Sequence, residues 1–152
     1  MSHKKIKVGI SACLLGLKYR YDGTSKTNYE IIEALKDKVD FIPVCPEVES
    51  GLPIPRPPMR LESSPKGCRM KVIENGNDVT ESVAEWAEIK LEQLEARELT
   101  AFILKARSPS CGLKSARLFS SSGKCLNEKE QGIFTRKLRK KFPDMFIFED
   151  ED

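Results

Sequence analysis

The sequence has very little histidine, few aromatic residues and no long apolar run. His3 is the only histidine among 152 residues and lies in a polar N-terminal tail, which nearly excludes an imidazole base or an imidazole-rich metal site. No stretch approaches the roughly 18 consecutive apolar residues of a membrane-spanning helix, and the first residues lack the apolar region of a signal peptide. These absences predict a cytoplasmic protein without a membrane partner.

The net charge of the chain is also small. The formal net charge is +3, with 32% charged and 39% hydrophobic residues, so the chain is too apolar to be disordered and is not strongly basic. Its length is that of one ordinary domain. We therefore expect a single domain over residues 1–152, and the composition by itself does not favour a nucleic-acid partner.

The cysteines exclude several familiar arrangements. Their number is odd, and no two of them have the two-residue spacing of a zinc knuckle or a thioredoxin-type motif. What remains is metal binding by cysteines distant in sequence, or ordinary buried thiols. The five cysteines are Cys13, Cys45, Cys68, Cys111 and Cys125.

Short apolar segments alternate with helical patterns along the chain. Strands are predicted over residues 5–12, 41–44, 69–73, 101–104 and 145–148, with a Ser/Gly turn after residues 118–119. Helices are predicted from Asn28, as the N-cap, to about residue 38, from Thr80, as the N-cap, to about residue 98, and over about residues 131–141. This alternation predicts an α/β fold: a single three-layer domain with a mainly parallel sheet covered by helices.

Prolines concentrate in one segment. Seven of the nine lie between residues 43 and 65, a density that argues against a regular helix or a central strand there. We interpret the segment, which carries Glu47, Glu49, Arg56 and Arg60, as a rigid wall of a site. Arg56 either pairs with a carboxylate or holds an anionic group of a substrate, and the sequence leaves both open.

Three cysteines share a position that the other two lack. Cys13, Cys45 and Cys111 each follow a predicted apolar strand, and the carboxyl ends of parallel strands lie at one edge of a sheet, where ligands bind. Thiolates suit zinc or an iron–sulfur cluster. A structural zinc needs a fourth ligand, whereas three thiolates on a four-iron cluster leave one iron open as a Lewis acid, which favours a catalytic site.

Four segments carry a family resemblance: ISACLLG (10–16), VCPEVE (44–49), GLPIPRPP (51–58) and KARSPSCG (105–112). In order and spacing they resemble the signature blocks of the thiouracil desulfurase (desulfidase) family, as do YDG (21–23) and NDVT (77–80). The resemblance implies a small Rossmann-like domain and an enzyme that removes sulfur, without redox change, from a thiolated pyrimidine such as 2-thiouracil. The partner implied is therefore a small thiolated base.

The resemblance also implies roles for individual residues. A [4Fe-4S] cluster would be held by Cys13, Cys45 and Cys111, while Glu47 and Ser108 fall on positions associated with acid–base work and substrate activation. The chemistry of the residues agrees, because a carboxylate can activate water and a hydroxyl can orient a substrate. Each has an ordinary alternative: Glu47 as a solvated carboxylate, and Ser108 as the cap of a local turn.

Two other functions remain open at this point. A zinc-dependent hydrolase of a nucleobase-like substrate would use the same three thiols, although it lacks the CxxC spacing of the cysteine-rich zinc deaminases. A non-catalytic RNA-binding module would use the basic run at residues 136–141, with the cysteines merely buried. We interpret this run instead as the polar face and last turn of the final helix, where cations suit the helix dipole. Asp22 is expected to close a turn.

Overall fold

The computed structural model describes residues 5–150, so His3 lies outside the described residues. In chain order these residues form β1 (Ile6–Ser11), a 3₁₀ helix (Ala12–Leu15), α1 (Tyr29–Leu35), β2 (Val39–Val44), α2 (Pro46–Glu49), β3 (Met59–Ser64), β4 (Gly67–Val72), α3 (Thr80–Ala96), β5 (Ala101–Leu104), β6 (Ala116–Phe119), β7 (Cys125–Glu130), α4 (Ile133–Lys141) and β8 (Phe146–Glu149).

Four of the five predicted strands assemble into one parallel sheet in the order β2-β1-β5-β8, whereas the strand predicted over residues 69–73 is β4 and belongs to a second sheet. Successive side chains along each strand point to opposite faces of the sheet, so a hydrophobic core forms on each face. On one face, Val8, Ile10 and Ile103 pack with α1; on the other, Phe102 and Leu104 pack with α3 and α4. Helices therefore cover both faces of the sheet, and the prediction of an α/β fold with a mainly parallel sheet is confirmed.

A second sheet, of order β4-β3-β6-β7, packs against the start of α3 and the first residue of α4 through Leu61, Met70, Val83, Ala116 and Ile133. Strand β3 is central in this sheet, antiparallel to β4 and parallel to β6. The expectation that residues 43–65 hold no central strand is therefore wrong for β3. The prolines at 57, 58 and 65 flank the strand without entering it, so every residue of β3 keeps the N–H that a ladder needs.

The two predicted helix caps have different outcomes. Asn28 caps α1 as predicted, because its side chain accepts a hydrogen bond from the Ile31 N–H at 3.1 Å. Thr80 is not the N-cap of α3; it is the first helical residue and follows Val79. Its hydroxyl instead accepts the N–H of Met70 at 2.7 Å, so this side chain joins α3 to the second sheet. The contact with Met70 in the second sheet therefore takes the place of the helix cap that the local sequence predicted for Thr80.

The basic run ends α4, as predicted. Phe134 and Leu138 are buried on the apolar side of the helix. Three of the cations on the polar side pair with glutamates of the same chain: Arg136 with Glu130, Lys137 with Glu88 and Lys141 with Glu95. Two of these glutamates belong to α3, so the charges help to dock the two helices. No helix within residues 5–150 has the length and apolar character needed to span a membrane.

Candidate active site at the carboxyl edge of the parallel sheet

Three thiols meet at one edge of the parallel sheet. Cys13 lies in the 3₁₀ helix that follows β1, Cys45 directly follows β2, and Cys111 lies in the loop after β5. Because β2, β1 and β5 are parallel neighbours, their carboxyl ends open at the same edge. The strand order reverses at β1, since β2 lies on one side of it and β5 on the other, and ligands bind at such a point. All three cysteines line one cavity of about 360 Å³.

Burial keeps these thiols protonated in the absence of a cation. Desolvation raises the pKa of Cys45 to about 11 and that of Cys111 to about 12, and it also raises the pKa of Cys13. The neighbouring thiols raise the pKa of Cys111 further, whereas the charge of Lys105 opposes the shift at Cys13. A thiolate is the form that binds metal. The three thiols therefore ionise together most easily when a metal centre compensates their charge.

Thiols are the donors that an iron–sulfur cluster takes. A zinc–sulfur bond of about 2.3 Å brings the ligands of one ion within about 4 Å of each other. Within the described part of the chain, no group of three or more His, Cys, Asp or Glu side chains is gathered in a way that could hold one metal ion. Thiols distributed around a common cavity match a polynuclear centre, which takes each thiolate on a different iron.

Glu47 is held from two sides at this cavity. It lies in α2, two residues beyond Cys45. Its Oε1 accepts the Nε–H of Arg56 at 2.9 Å, and its Oε2 accepts the hydroxyl of Ser110 at 2.9 Å. The Glu47 side chain is only 13% exposed, so the interpretation as a solvated loop carboxylate is wrong. Its orientation is fixed by residues from two other segments.

Arg56 connects Glu47 to the loops that wall the cavity. Its side chain is 4% exposed, and besides Glu47 it donates to the carbonyl oxygens of Tyr19 at 2.9 Å and Pro53 at 3.2 Å. Its own N–H donates to the Tyr21 carbonyl at 2.7 Å. Of the two uses left open by the sequence, the structure contains the carboxylate pair. The proline-rich segment lines the cavity through Arg56 and Pro58.

Ser108 and Ser110 lie side by side at the start of the Cys111 loop. Their hydroxyl oxygens are 3.0 Å apart. Ser108 Oγ accepts the N–H groups of Ser110 at 3.2 Å and Cys111 at 3.0 Å. Ser108 thus caps the local turn, the ordinary alternative, while it also lines the cavity. The family resemblance pointed to Ser108 alone. Ser110, which contacts Glu47, lies in the same SPSCG segment and carries no separate sequence signal.

The N-terminus of α4 holds the Cys111 loop in place. The N–H groups of Gly132, Ile133 and Phe134 donate to the loop carbonyls of Gly112, Pro109 and Ser110, at 2.8, 3.1 and 3.0 Å. The buried Thr135 hydroxyl donates to the Cys111 carbonyl at 2.7 Å. These groups satisfy N–H donors that a helix start leaves unpaired. No sequence motif pointed to this support, because it joins segments about 20 residues apart.

Glu149, at the end of β8, fixes the other side of the same loop. Its side chain is 7% exposed. Its Oε1 accepts the N–H groups of Leu113 and Lys114 at 2.6 and 2.7 Å and the Ser115 hydroxyl at 2.7 Å. The loop that carries Cys111 is therefore tied both to α4 and to the last strand of the parallel sheet.

The remaining candidates lie elsewhere or have local roles. Cys68 is in β4 and Cys125 is in β7, which are opposite edges of the second sheet, and neither lines the cavity. Asp22 closes a turn, as predicted, by accepting the N–H and the hydroxyl of Thr24 at 3.0 and 2.5 Å. The second sheet thus carries no part of the thiol set.

The chain is similar to known proteins in both sequence and structure. Residues 8–150 match the model of a family described as 2-thiouracil desulfurase. The chain is 35% identical over 108 residues to the uncharacterized protein YbbK of Bacillus subtilis (strain 168), across 68% of this chain and 71% of YbbK. The solved structure of the [4Fe-4S]-dependent thiouracil desulfidase TudS is similar with a TM-score of 0.73 and 32% identity, and the match covers 97% of this chain and 92% of that chain.

Proposed function

Because this chain belongs to the 2-thiouracil desulfurase family, we propose that it is an enzyme that removes sulfur from a thiolated pyrimidine such as 2-thiouracil. The reaction replaces the thiocarbonyl sulfur with the oxygen of one water molecule. Both hydrogens of that water leave with the sulfur as hydrogen sulfide, so no oxidant or reductant is consumed. The observation that carries the proposal is the convergence of Cys13, Cys45 and Cys111 on one cavity that Glu47 also lines.

The residues present fit a [4Fe-4S] cluster as the cofactor. The solved relative TudS is described as [4Fe-4S]-dependent. In this chain three cysteines line the cavity: Cys111 is buried, and Cys13 and Cys45 are half-buried. We assign Cys13, Cys45 and Cys111 as the three protein ligands. A cluster bound in this way supplies an iron without a protein ligand, which acts as a Lewis acid toward the soft sulfur of a thiocarbonyl group.

Glu47 and Ser108 supply the polar chemistry of the protein itself. Glu47 accepts the proton of the attacking water, a role that suits a carboxylate held in a fixed orientation beside the reacting atoms. Ser108 orients the substrate, because its hydroxyl lies at the cavity wall and its position is set by two backbone N–H groups. No histidine lies among the described residues, which leaves a carboxylate as the natural proton acceptor.

The cavity also bears on the class of substrate. Ligand pockets of about 300–1,000 Å³ are typical of small-molecule sites, and this one, at about 360 Å³, lies near the lower limit. Its wall combines apolar side chains such as Met59 and Pro58 with the polar groups already described. Because a cluster held by the three cysteines would occupy part of this volume, the space that remains suits a single-ring thiolated base better than a large ligand.

The test is a set of matched cysteine variants studied under anaerobic conditions. Cys13→Ser, Cys45→Ser and Cys111→Ser are each expected to lose the iron, the acid-labile sulfide and the brown colour of the reconstituted protein. Cys68→Ser and Cys125→Ser serve as controls and are expected to keep all three. Wild-type protein with its cluster is expected to convert 2-thiouracil to uracil with one sulfide released per uracil formed, in the absence of any reductant.

Two results would contradict the proposal. One is a colourless wild-type protein that holds zinc in near-stoichiometric amount after anaerobic preparation, since this outcome supports a zinc hydrolase. The other is a set of five cysteine variants that behave alike, since this outcome removes the distinction between the cavity thiols and those of the second sheet.

A further inference from the structure

Ser110 occupies the space between the two residues to which the proposed function gives chemical roles. Ser110 as a whole is 1% exposed. Its Oγ lies 2.9 Å from Glu47 Oε2 and 3.0 Å from Ser108 Oγ. A single buried hydroxyl therefore joins a carboxylate from α2 to a hydroxyl from the loop after β5.

The hydrogen bonds around Ser108 give this link a direction. A serine hydroxyl accepts two hydrogen bonds and donates one. Ser108 Oγ already accepts two N–H groups, from Ser110 and Cys111, so before a substrate binds its own proton is directed to the Ser110 oxygen. The Ser110 proton is then directed to Glu47 Oε2. Cys111 Sγ lies farther from Ser110 Oγ, at 3.8 Å, and a carboxylate is the stronger acceptor.

The Ser110 hydroxyl is not what holds the loop in place. The loop is fixed through its backbone carbonyls, by the N–H groups at the start of α4 and by the hydroxyl of Thr135. It is also fixed by the carboxylate of Glu149 through the residues that follow Cys111. None of these bonds uses the Ser110 side chain. Its hydroxyl makes a separate contribution, to the relative position of two side chains.

We propose that Ser110 is a positioning residue of the desulfuration site, whose hydroxyl fixes Glu47 and Ser108 relative to one another. The inference rests on the proposed function and extends it to a residue without a role there. Arg56 holds Glu47 Oε1 and Ser110 holds Glu47 Oε2, so the carboxylate is fixed at both oxygens. Without the Ser110 hydroxyl, Oε2 loses its donor and the Ser108 proton loses its acceptor.

The kinetic test compares Ser110→Ala with Ser110→Thr in the cluster-loaded protein. Ser110→Ala is expected to keep its iron and sulfide, to lose about 10- to 100-fold in kcat and to change KM by less than about threefold, since misplacement by a fraction of an ångström slows the reaction more than it weakens binding. Ser110→Thr restores the hydroxyl and is expected to recover most of kcat. Rescue of this kind distinguishes positioning from packing.

A matched control removes a comparable hydroxyl away from the cavity. Thr80→Val deletes the 2.7 Å hydrogen bond between the Thr80 hydroxyl and the Met70 N–H, in a part of the fold that does not line the cavity. It is expected to lower the midpoint of thermal unfolding and to leave kcat per cluster unchanged. An equal loss of kcat in Thr80→Val and Ser110→Ala would overturn the proposal, because general destabilisation would then explain both.

A thermal-unfolding cycle provides a readout that does not depend on activity. Ser110→Ala, Glu47→Gln and the double variant are compared under anaerobic conditions, and the same cycle is run with Ser108→Ala. If the hydroxyl joins these partners, the loss in each double variant is smaller than the sum of the single losses by about 2 °C or more. Additive losses in both cycles would overturn the proposal. If the losses of the variants are non-additive but the wild-type protein releases no sulfide from 2-thiouracil, the hydrogen-bonded link is supported and the proposed function is rejected.

Discussion

Gly132→Ala adds one methyl group, and the structure predicts that it lowers both stability and activity. Gly132 precedes α4 and packs against the loop that carries Cys111. A methyl group at this position would lie 2.3 Å from the carbonyl carbon of Ser110 and 2.7 Å from the Cys111 nitrogen. Both neighbours are backbone atoms, which cannot rotate away as the end of a side chain could. The helix and the loop must therefore separate.

The size of the effect follows from these contacts. Ordinary contacts of a β-carbon begin at 3.4 Å, so the two backbones have to move apart by about 1 Å in a tightly packed region. Overpacking of this kind costs about 1–3 kcal/mol. The hydrogen bonds from Gly132, Ile133 and Phe134 to the loop are stretched as well, at about 1 kcal/mol for each one lost. We expect a total of about 2–4 kcal/mol, or a fall of about 5–15 °C in Tm.

The same displacement is expected to reach the site, because the backbone that must move belongs to Ser110 and Cys111. A shift of about 1 Å can lower a reaction rate by about 100-fold, so kcat per cluster is expected to fall along with stability. Gly67→Ala is the control: its added methyl group meets nothing within 4 Å, and its φ of +98° imposes backbone strain alone. That variant is expected to lose stability and keep its activity. A Gly132→Ala protein with wild-type kcat and a Tm within about 2 °C of wild type would refute this reasoning.

Two further predictions concern side chains around the cavity. Arg56→Ala removes the guanidinium donors from Glu47 Oε1 and from the carbonyl of Tyr19 and leaves the Glu47 carboxylate with the Ser110 hydroxyl alone, so we expect a loss of about 3–5 kcal/mol in chemical denaturation. Arg56→Lys, which keeps the charge but lacks the planar fork, is expected to recover only part of that loss. Equal stability of Arg56→Ala and wild type would contradict the role of the pair. Asn28→Ala removes the cap that receives the Ile31 N–H and is expected to cost about 1 kcal/mol, seen as a Tm lower by about 2–4 °C with kcat per cluster unchanged.

The thiol set could be predicted from the sequence because its positions depend on one rule. Each of Cys13, Cys45 and Cys111 follows a short apolar strand, and parallel strands end at a common edge. The helices between these strands are signalled locally, by periodicity and, at Asn28, by a cap. A rule that uses only local patterns and sheet geometry was therefore sufficient to bring three distant side chains to one cavity.

The second sheet could not be predicted in the same way. Strand β3 pairs with β6 across more than 50 residues, and nothing near either strand announces the partner. The surrounding prolines pointed away from a strand, although they lie only at its ends. Thr80 shows the same limit at a single residue, since its hydroxyl serves Met70 on a neighbouring strand and not the helix that it begins.

Long-range contacts also explain why the supporting residues of the site were missed. Ser110 and Ser108 are two residues apart and chemically identical, yet only Ser110 contacts Glu47. Gly132 has no distinguishing sequence context, and its importance comes from the backbone of a loop 20 residues earlier. The resemblance of the sequence to a family identified candidate reacting groups, whereas the groups that orient them depend on three-dimensional contacts.

The electrostatics of the cavity favour a metal-loaded state over a set of reactive thiols. Burial is the main cause that raises the pKa of Cys13, Cys45 and Cys111, and at Cys13 the charges of Lys105 and Arg20 oppose it. Without a metal, such thiols stay neutral and behave as small apolar side chains, which limits their reactivity as nucleophiles. A cationic cluster held by these three cysteines, as we propose, would reverse the balance, because it would compensate all three charges at once, and its binding energy would add to the stability of the fold. The burial that makes these cysteines poor nucleophiles would therefore couple their ionisation to binding of the proposed cofactor.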